Sequence, residues 1–271
     1  MVQKTERPRA EGGSLVADSV AVFWKDVREG LRSGGTGRGG RWTLLFILGY
    51  FGIILPLIAT PSRTHGVPPE LAPGRVIAGV PVMLGLLLIA FIFPGNIVCD
   101  AIAGERERHT LETLLATRLP DRAILLGKLL AGIAIGMGLS VVCLVLSTVT
   151  TLVVHPGMGL PVPPAWLGGL LLVGLELAVF EAALASIVSI YARSLRQAQQ
   201  FTSMFFVVLF LVPFIGLQLM PAGLRQSVVS WLSGLHPLQA ALVGAAVVLA
   251  IDVVLLAVSF ALFQRERLLR S

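Results

Sequence analysis

Residues 76–99 read VIAGVPVMLGLLLIAFIFPGNIVC and contain no charged side chain. The next residues, 100–122, read DAIAGERERHTLETLLATRLPDR and carry nine charges of both signs, while residues 123–154 are again almost free of charge. A helix needs about 20 apolar residues to cross roughly 30 Å of hydrocarbon. The first stretch therefore predicts a membrane-spanning helix, and the charged stretch predicts a connection outside the lipid.

The composition of the whole chain fits a membrane protein. Hydrophobic residues make up 55% of the 271 residues and charged residues 13%, whereas about 25% of the residues in a soluble domain are charged. Strand-like alternation is absent, and the apolar runs are too long for barrel strands. The sequence predicts an all-α polytopic membrane protein. We expect a membrane domain at 42–263 with six spans, at 42–60, 76–99, 123–154, 165–191, 201–220 and 238–263.

The distribution of basic residues predicts the orientation of these spans. With a cytosolic N-terminal segment at 1–41 and a basic tail at 264–271, eighteen of the 21 Lys and Arg residues fall on the inner side. The other three, Arg63, Arg75 and Arg225, fall on the outer side. Short inner loops are enriched in Lys and Arg. We therefore expect a multi-pass protein of the cell inner (plasma) membrane with both termini cytosolic, and the net charge of +6 does not indicate nucleic acid binding.

Residues 14–32, SLVADSVAVFWKDVREGLR, predict an amphipathic helix rather than a span. Apolar side chains recur with helical spacing on one face, and charged side chains lie on another. Such a helix suits the surface of the inner leaflet, where membrane lipid covers its apolar face. An ordinary packed surface helix remains an alternative. The GGTGRGG stretch at 34–40 predicts a flexible joint before the first span.

Three acidic residues interrupt the predicted spans: Glu176, Glu181 and Asp252. Ionisable groups within the membrane are candidates for a functional role. At 1.5 Å per residue, Glu181 and Asp252 lie at similar depths, about 21–22 Å from the outer ends of their spans. A protonated or hydrogen-bonded acid that joins two helices is the plainer interpretation. The sharper one is an ion- or proton-coupled secondary transporter that uses all three acids.

The charged segment at 100–122 has a helical centre with an apolar face. Leu111, Leu114 and Leu115 share that face, Thr110 can cap its N-terminus, and Pro120 ends it. The pattern predicts a short amphipathic helix parallel to the membrane. A solvated loop with weak salt bridges is the alternative, although such a loop does not need a leucine face.

Residues 104–132, GERERHTLETLLATRLPDRAILLGKLLAG, resemble the signature of the ABC type-2 (ABC-2 family) transporter permeases. Three further stretches are similar to other parts of that family: FWKDVREGLRS at 23–33, ARSLRQAQQFTSM at 192–204 and SGLHPLQA at 233–240. Two features depart from the pattern. His109 stands where the family usually has glycine, and the proline at 120 is displaced from its common place.

The resemblance implies that residues 100–122 form a coupling helix that docks on a separate ABC ATPase subunit. It also implies a homodimer or heterodimer of permeases that encloses an export path, lined by the second and fifth spans. Phe205 would lie on that path, with Glu181 and Asp252 as further candidates. The expected contacts to the ATPase, some of which could instead brace the N-terminal helix, are Glu105, Arg106, Glu107, Arg108, Leu111, Glu112, Leu114 and Leu115.

The chain shows no ATPase motif of its own, because the GxxxxGK[ST] pattern does not occur. We expect no enzymatic activity, no cofactor and no metal, with ATP hydrolysis in a partner subunit. An intramembrane enzyme would need a nucleophile or metal-binding motif, and the sequence offers none. A structural scaffold is a further alternative, but it leaves the charged central segment unexplained.

Overall fold

The computed structural model describes residues 15–33, 37–58, 73–110, 119–154, 160–221, 223–224, 227 and 237–263. These residues are helical almost throughout and contain no strand. The apolar runs form helices because a backbone in lipid must satisfy its hydrogen bonds internally. In chain order the helices are α1 (Leu15–Ser33), α2 (Gly37–Gly49), α3 (Leu55–Ile58), α4 (Pro73–Cys99), α5 (Glu105–Glu107), α6 (Asp121–Val154), α7 (Pro164–Tyr191), α8 (Leu195–Leu219) and α9 (Pro237–Leu262).

Four helical segments are long and apolar enough to cross a membrane: Val82–Glu107, Asp121–Val154, Trp166–Tyr191 and Leu242–Leu262. They correspond to the predicted second, third, fourth and sixth spans. Leu44–Ile58, at the predicted first span, is a shorter apolar helix among the described residues. The all-helical class is therefore confirmed, and the count of six spans stays a prediction.

Several helix boundaries differ from the predicted ones. The helix of the predicted second span does not end at Cys99 but continues through a π-helical turn at Asp100–Gly104 into α5. The helix of the predicted fifth span begins earlier, at Leu195, where the hydroxyl of Ser194 accepts a hydrogen bond from the backbone N–H of Gln197. The glycines expected to form a flexible joint belong in part to α2, which begins at Gly37.

Helix α4 lies between α6 and α7 and packs closely on both. The ring of Pro94 lies against Gly136 of α6, and the Pro94 carbonyl oxygen lies 3.0 Å from the place where a Cβ atom on Gly132 would be. On its other side, Gly95 contacts the side chain of Glu181 in α7. Proline disrupts the hydrogen bonding of a helix interior, and here it occupies a surface made of glycines, which allow close helix approach.

The remaining helices pack around this centre. Helix α1 packs on α6, α8 packs on α7 and α4, and α9 packs on α7. A buried cluster that extends from Val98 of α4 to Phe263 beyond α9 joins the adjacent ends of α4, α6, α7 and α8. The apolar core of the described residues is thus concentrated at the end of the molecule where the charged segment begins.

Helix α1 occupies the range in which the sequence predicts an amphipathic helix. Its inner side buries Ser19, Val22 and Asp26. Its outer side exposes apolar residues, with 72% of Val16 and 55% of Trp24 accessible. An exposed apolar stripe opposite a packed face suits a lipid surface, so the interfacial position remains the expected one.

Candidate functional site

A buried lysine lies where α1, α6 and the end of α4 meet. The Lys128 side chain is fully buried, and its ammonium donates hydrogen bonds to Glu105 Oε2 at 2.6 Å and to the backbone oxygen of Ala101 at 2.7 Å. It also forms an ion pair with Asp26 Oδ2 at 3.5 Å. Two of the three N–H groups of the ammonium thus have an acceptor, and the Asp26 carboxylate adds a nearby negative charge without a hydrogen bond to its Oδ2 atom. A charge that would be costly to bury alone is therefore compensated.

Helix α1 contributes a second lysine and an acid to the same junction. The Lys25 Nζ donates to the other carboxylate oxygen of Glu105 at 2.6 Å, and it lies 3.8 Å from Asp26 Oδ1. Burial opposes the charged form of Lys25, but the hydrogen bond and charge of Glu105 outweigh this effect and raise its pKa. Burial also raises the pKa of Asp26, and the positive charge of Lys128 offsets that only in part. Glu105 is thus the main anion of the junction.

Helix α1 reaches this junction because α6 has a glycine beside its lysine. A Cβ atom on Gly127 would lie 2.8 Å from the backbone oxygen of Ser19 and 2.7 Å from the Cβ atom of Val22. Any larger residue would therefore push α1 away from α6. The Gly127–Lys128 pair combines close helix approach with the charge that holds the two helices together.

The next two residues of the ERER segment, which we define as Glu105–Arg108, contact two further helices. Arg106 Nη1 donates to the backbone oxygen of Ile190 at 3.2 Å, at the C-terminal end of α7. Glu107 Oε2 accepts from the backbone N–H of Leu195 at 3.1 Å, at the N-terminal end of α8. A cation at a helix C-terminus and an anion at an N-terminus both complement the helix dipole. The segment therefore ties α7 and α8 to the junction.

Arg108, the last residue of the segment, pairs with an acid about two helical turns before it. Its Nη1 atom lies 3.2 Å from Asp100 Oδ1, within the same helical stretch. Gly104 lies beneath this pair, since a Cβ atom there would meet both side chains. The π-helical turn between Asp100 and Gly104 includes Ala101, whose carbonyl receives Lys128. Such turns occur often at functional sites.

The chain then turns at His109, which adopts a left-handed backbone with φ of 58°. Glycine adopts this conformation at no steric cost, and other residues adopt it rarely. The hydroxyl of Thr110 donates to the backbone oxygen of Glu105 at 3.1 Å. The turn retains a shape suited to glycine although a histidine stands there.

The predicted ATPase contacts fall into two groups. Glu107 and Arg108 are exposed, and Arg106 is half-buried, whereas Glu105 is only 4% exposed within the chain. Of the roles that the sequence left open for Glu105, bracing of the N-terminal helix is the one that its contacts support. The remaining predicted contacts lie outside the described residues: Leu111, Glu112, Leu114 and Leu115.

The intramembrane acids do not form one cluster among the described residues. Glu181 is 3% exposed and lies against Gly95 of α4. Asp252 of α9 is 2% exposed. Phe205 of α8 is 50% exposed.

Carboxylate oxygens of Asp26, Glu29 and Glu105 lie within 4.8 Å of one another, a spacing that a metal ion could bridge. However, each oxygen of Glu105 already accepts a hydrogen bond from a lysine at 2.6 Å. These ammonium groups supply the positive charge that a metal would supply. The described residues thus give no support for a metal at this place.

The sequence reasoning did not single out Lys25, Asp26 and Lys128 as site residues. Lys128 lies within a long apolar helix, and a lysine in such a helix indicates a buried partner. In the charge distribution it contributes only one of the basic residues on the inner side. Lys25 and Asp26 offered no comparable signal, because a charged pair on an amphipathic helix usually faces solvent.

Comparison with known proteins identifies the family. No curated protein matches the chain. The family model described as ABC-2 family transporter protein matches residues 20–268. The match includes the four parts of the junction: Lys25 and Asp26 of α1, the ERER segment, Lys128 of α6 and the start of α8. With nearly its whole length matched, this chain belongs to the ABC-2 transporter family and is a membrane permease of the ABC transporter class.

Proposed function

We propose that this chain is the membrane subunit of an ABC exporter that works with a separate ATPase subunit. Two permease chains, identical or different, pair to enclose the path. The protein resides in the plasma membrane with both termini in the cytosol. The family match supports the permease role, and the excess of basic residues in the predicted inner segments supports the orientation.

One observation carries the proposal that residues 100–122 couple the ATPase to the membrane helices. The ERER segment contacts four helices within a single helical turn: α1 and α6 through Glu105, α7 through Arg106 and α8 through Glu107. Hydrogen bonds that involve ionised groups are short and strong. A displacement of this segment therefore moves α1 together with the adjacent ends of α6, α7 and α8.

The same contacts divide the coupling segment into two parts. Glu105 is the inner part, buried against Lys25 and Lys128, and it holds the segment to the membrane helices. Glu107 and Arg108 remain at the surface, next to the predicted leucine face. In this proposal the leucines fill a groove on the ATPase, and the ERER segment transmits the motion of the ATPase to the spans.

Substitution of Leu114 by Asp tests the coupling role. A charge at a buried contact leaves an unpaired ion, which costs several kcal/mol. We expect Leu114→Asp to insert and dimerise but to lose co-purification with the ATPase and stimulation of ATP hydrolysis. Glu112→Lys is the matched control, since a charge at the rim contributes modestly and is screened by salt. Full ATPase binding by Leu114→Asp would contradict the docking role and favour the alternative, in which residues 100–122 form a solvated loop.

Ion- or proton-coupled secondary transport is the second candidate function. It draws on the buried carboxyl groups of Glu181 and Asp252, each of which has one oxygen without a hydrogen-bond partner among the described residues. Glu181 lies against Gly95 of α4, and the described residues contain no cluster that joins all three acids, which weakens the idea of one shared ion site. Transport in vesicles that lack any ATPase would favour this candidate, and strict dependence on the ATPase would exclude it.

A further inference from the structure

A groove opens between α4 and α8, a short distance along α8 from the ERER segment. Asn96 forms one wall, and residues of α8 between Arg196 and Val207 form the other. The groove has a volume of about 520 Å³ and is open on one side. Binding sites for small molecules commonly have volumes of about 300–1,000 Å³. It is therefore large enough to hold a small molecule.

The chemistry of this groove changes along α8. Arg196, Gln200, Ser203 and Val207 follow one another at helical spacing, so they form one stripe along about 17 Å of helix. The stripe passes from a cation through an amide and a hydroxyl to an apolar side chain. All four side chains are exposed. The groove thus has a charged, hydrogen-bonding end and an apolar end.

The charge of the groove has one sign. Its described lining contains Arg196 and no acid. The neighbouring Gln199 has a buried amide nitrogen without a hydrogen-bond partner among the described residues. A buried donor without a partner is costly, and an acceptor on a ligand would remove that cost. A guanidinium beside an unsatisfied amide donor is complementary to a phosphate or carboxylate group.

We propose that this groove binds an anionic amphiphile, with its charged head at Arg196 and Gln199 and its hydrocarbon chain along Met204 and Val207. The inference rests on the proposed function, for which it specifies the substrate class. The position of the groove suits such a ligand, because the charged end lies at the start of α8 and the apolar end lies within the helix. A molecule that already resides in one leaflet could enter it from the side.

A second permease chain is the alternative occupant. The polar half of the groove argues against it, since the cores of stable protein interfaces are depleted of charged side chains. The exposed apolar residues of α8 outside the groove, among them Phe205 and Val208, give a pairing surface that does not need it. If a second chain fills the groove, Ser203→Cys should form a disulfide between two chains efficiently. If an amphiphile fills it, such a disulfide should not form efficiently.

Binding can be measured with defined probes on the intact permease–ATPase complex in phosphatidylcholine nanodiscs. Dodecyl phosphate, dodecyltrimethylammonium and inorganic phosphate are compared through the shift that each causes in thermal unfolding of the permease. We expect stabilisation by dodecyl phosphate alone, because the head and the chain are both needed. Arg196→Gln should weaken its apparent affinity about tenfold or more, as follows from loss of a hydrogen bond between charged groups. Arg196→Lys should retain part of it.

Arg193→Gln is the matched control, since Arg193 is exposed just before α8 but does not line the groove. Equal losses in Arg193→Gln and Arg196→Gln would indicate general attraction of anions to the membrane surface and would overturn the proposal. Stabilisation by the cationic probe, or by no probe, would do the same. Efficient disulfide formation between two chains through Ser203→Cys would assign the groove to a second copy. Co-purification of the ATPase, measured on the same samples, reports separately on the proposed function.

Discussion

Glu105 and Lys128 form a buried ion pair, with 2.6 Å between Oε2 and Nζ, at the point where the charged central segment meets the membrane helices. The Lys128 side chain is fully buried, and that of Glu105 is 5% exposed. The two residues belong to stretches that looked unrelated in the sequence, one a charged connection and the other an apolar span. Their pairing makes the connection part of the membrane body.

Removal of Lys128 should destabilise the protein strongly. Lys128→Met leaves Glu105 buried with only the half-exposed Lys25 as a partner, and loss of one member of a buried pair costs about 3–5 kcal/mol. Thermal unfolding of the purified permease should show a large decrease in midpoint, and Glu105→Gln in the same chain should restore part of it. Arg122→Met, an exposed site on the same helix, is the control. Similar midpoints for Lys128→Met and Arg122→Met would mean that the pair is not important for stability.

Addition of a single methyl group at Gly127 should separate α1 from α6. A Cβ atom at Gly127 meets the backbone oxygen of Ser19 at 2.8 Å, and backbone cannot rotate away as a side chain can. We expect Gly127→Ala to make α1 accessible to limited proteolysis and to alter the fluorescence of Trp24. Gly138→Ala is the matched control, because a Cβ atom there has no neighbour within 4 Å. Identical digestion of the two variants would contradict the close contact.

The left-handed backbone of His109 predicts opposite effects for two substitutions. His109→Gly relieves the steric cost, which is about 1 kcal/mol for a residue other than glycine. His109→Val should increase that cost, because β-branched residues tolerate this conformation least. His109→Ala removes the side-chain interactions without the backbone relief, so the difference in unfolding midpoint between the Gly and Ala variants isolates the backbone effect. An Ala variant as stable as the Gly variant would speak against the strained turn.

Asp26 should be the dispensable acid of the junction. Its ion-pair distances are 3.5 and 3.8 Å, whereas both lysines approach Glu105 to 2.6 Å. Because burial raises the pKa of Asp26 above the usual 3.8, the folded protein holds this proton to higher pH than the unfolded chain does. Its contribution to stability is therefore present at low pH and is lost as the pH rises above 3.8.

We expect Asp26→Asn to retain or increase the thermal stability at neutral pH and to remove this dependence on pH. Glu105→Gln is the comparison, since it removes the acid to which both lysines donate and should lower the stability. A loss for Asp26→Asn as large as that for Glu105→Gln would assign the two acids equal importance.

The sequence predicted the helical class and four of the spans, because a long apolar segment in lipid must satisfy its backbone hydrogen bonds internally and a helix does so. It placed the end of the second span at Cys99 because charge normally ends a span. The helix instead continues to Glu105, because Lys25 of α1 and Lys128 of α6 neutralise the charge of this buried acid. Charge alone does not show whether a residue faces solvent or a partner far along the chain.

The candidate site was predictable only in part. The ERER segment stood out in the sequence, but its contacts with Ile190 and Leu195 depend on where α7 ends and α8 begins. An apolar pattern locates such boundaries only to within a few residues. Which of the acids Glu176, Glu181 and Asp252 lie near one another depends on which sides of α7 and α9 face each other, and depth along each helix gives no information about that.

The proline of α4 limits how this helix can move. With the Pro94 ring against Gly136 and Val98 against Gly132, sliding along α6 would drive larger side chains into these contacts. The Glu105–Lys128 pair joins the same two helices again, about 16 Å further along α4. In the proposed coupling, α4 and α6 therefore move as one rigid body. Distances between spin labels at matching ends of α4 and α6 should stay constant when the ATPase binds nucleotide, and a change at either end would contradict this. A push on the ERER segment would then reach the far side of the membrane as a tilt of two helices together.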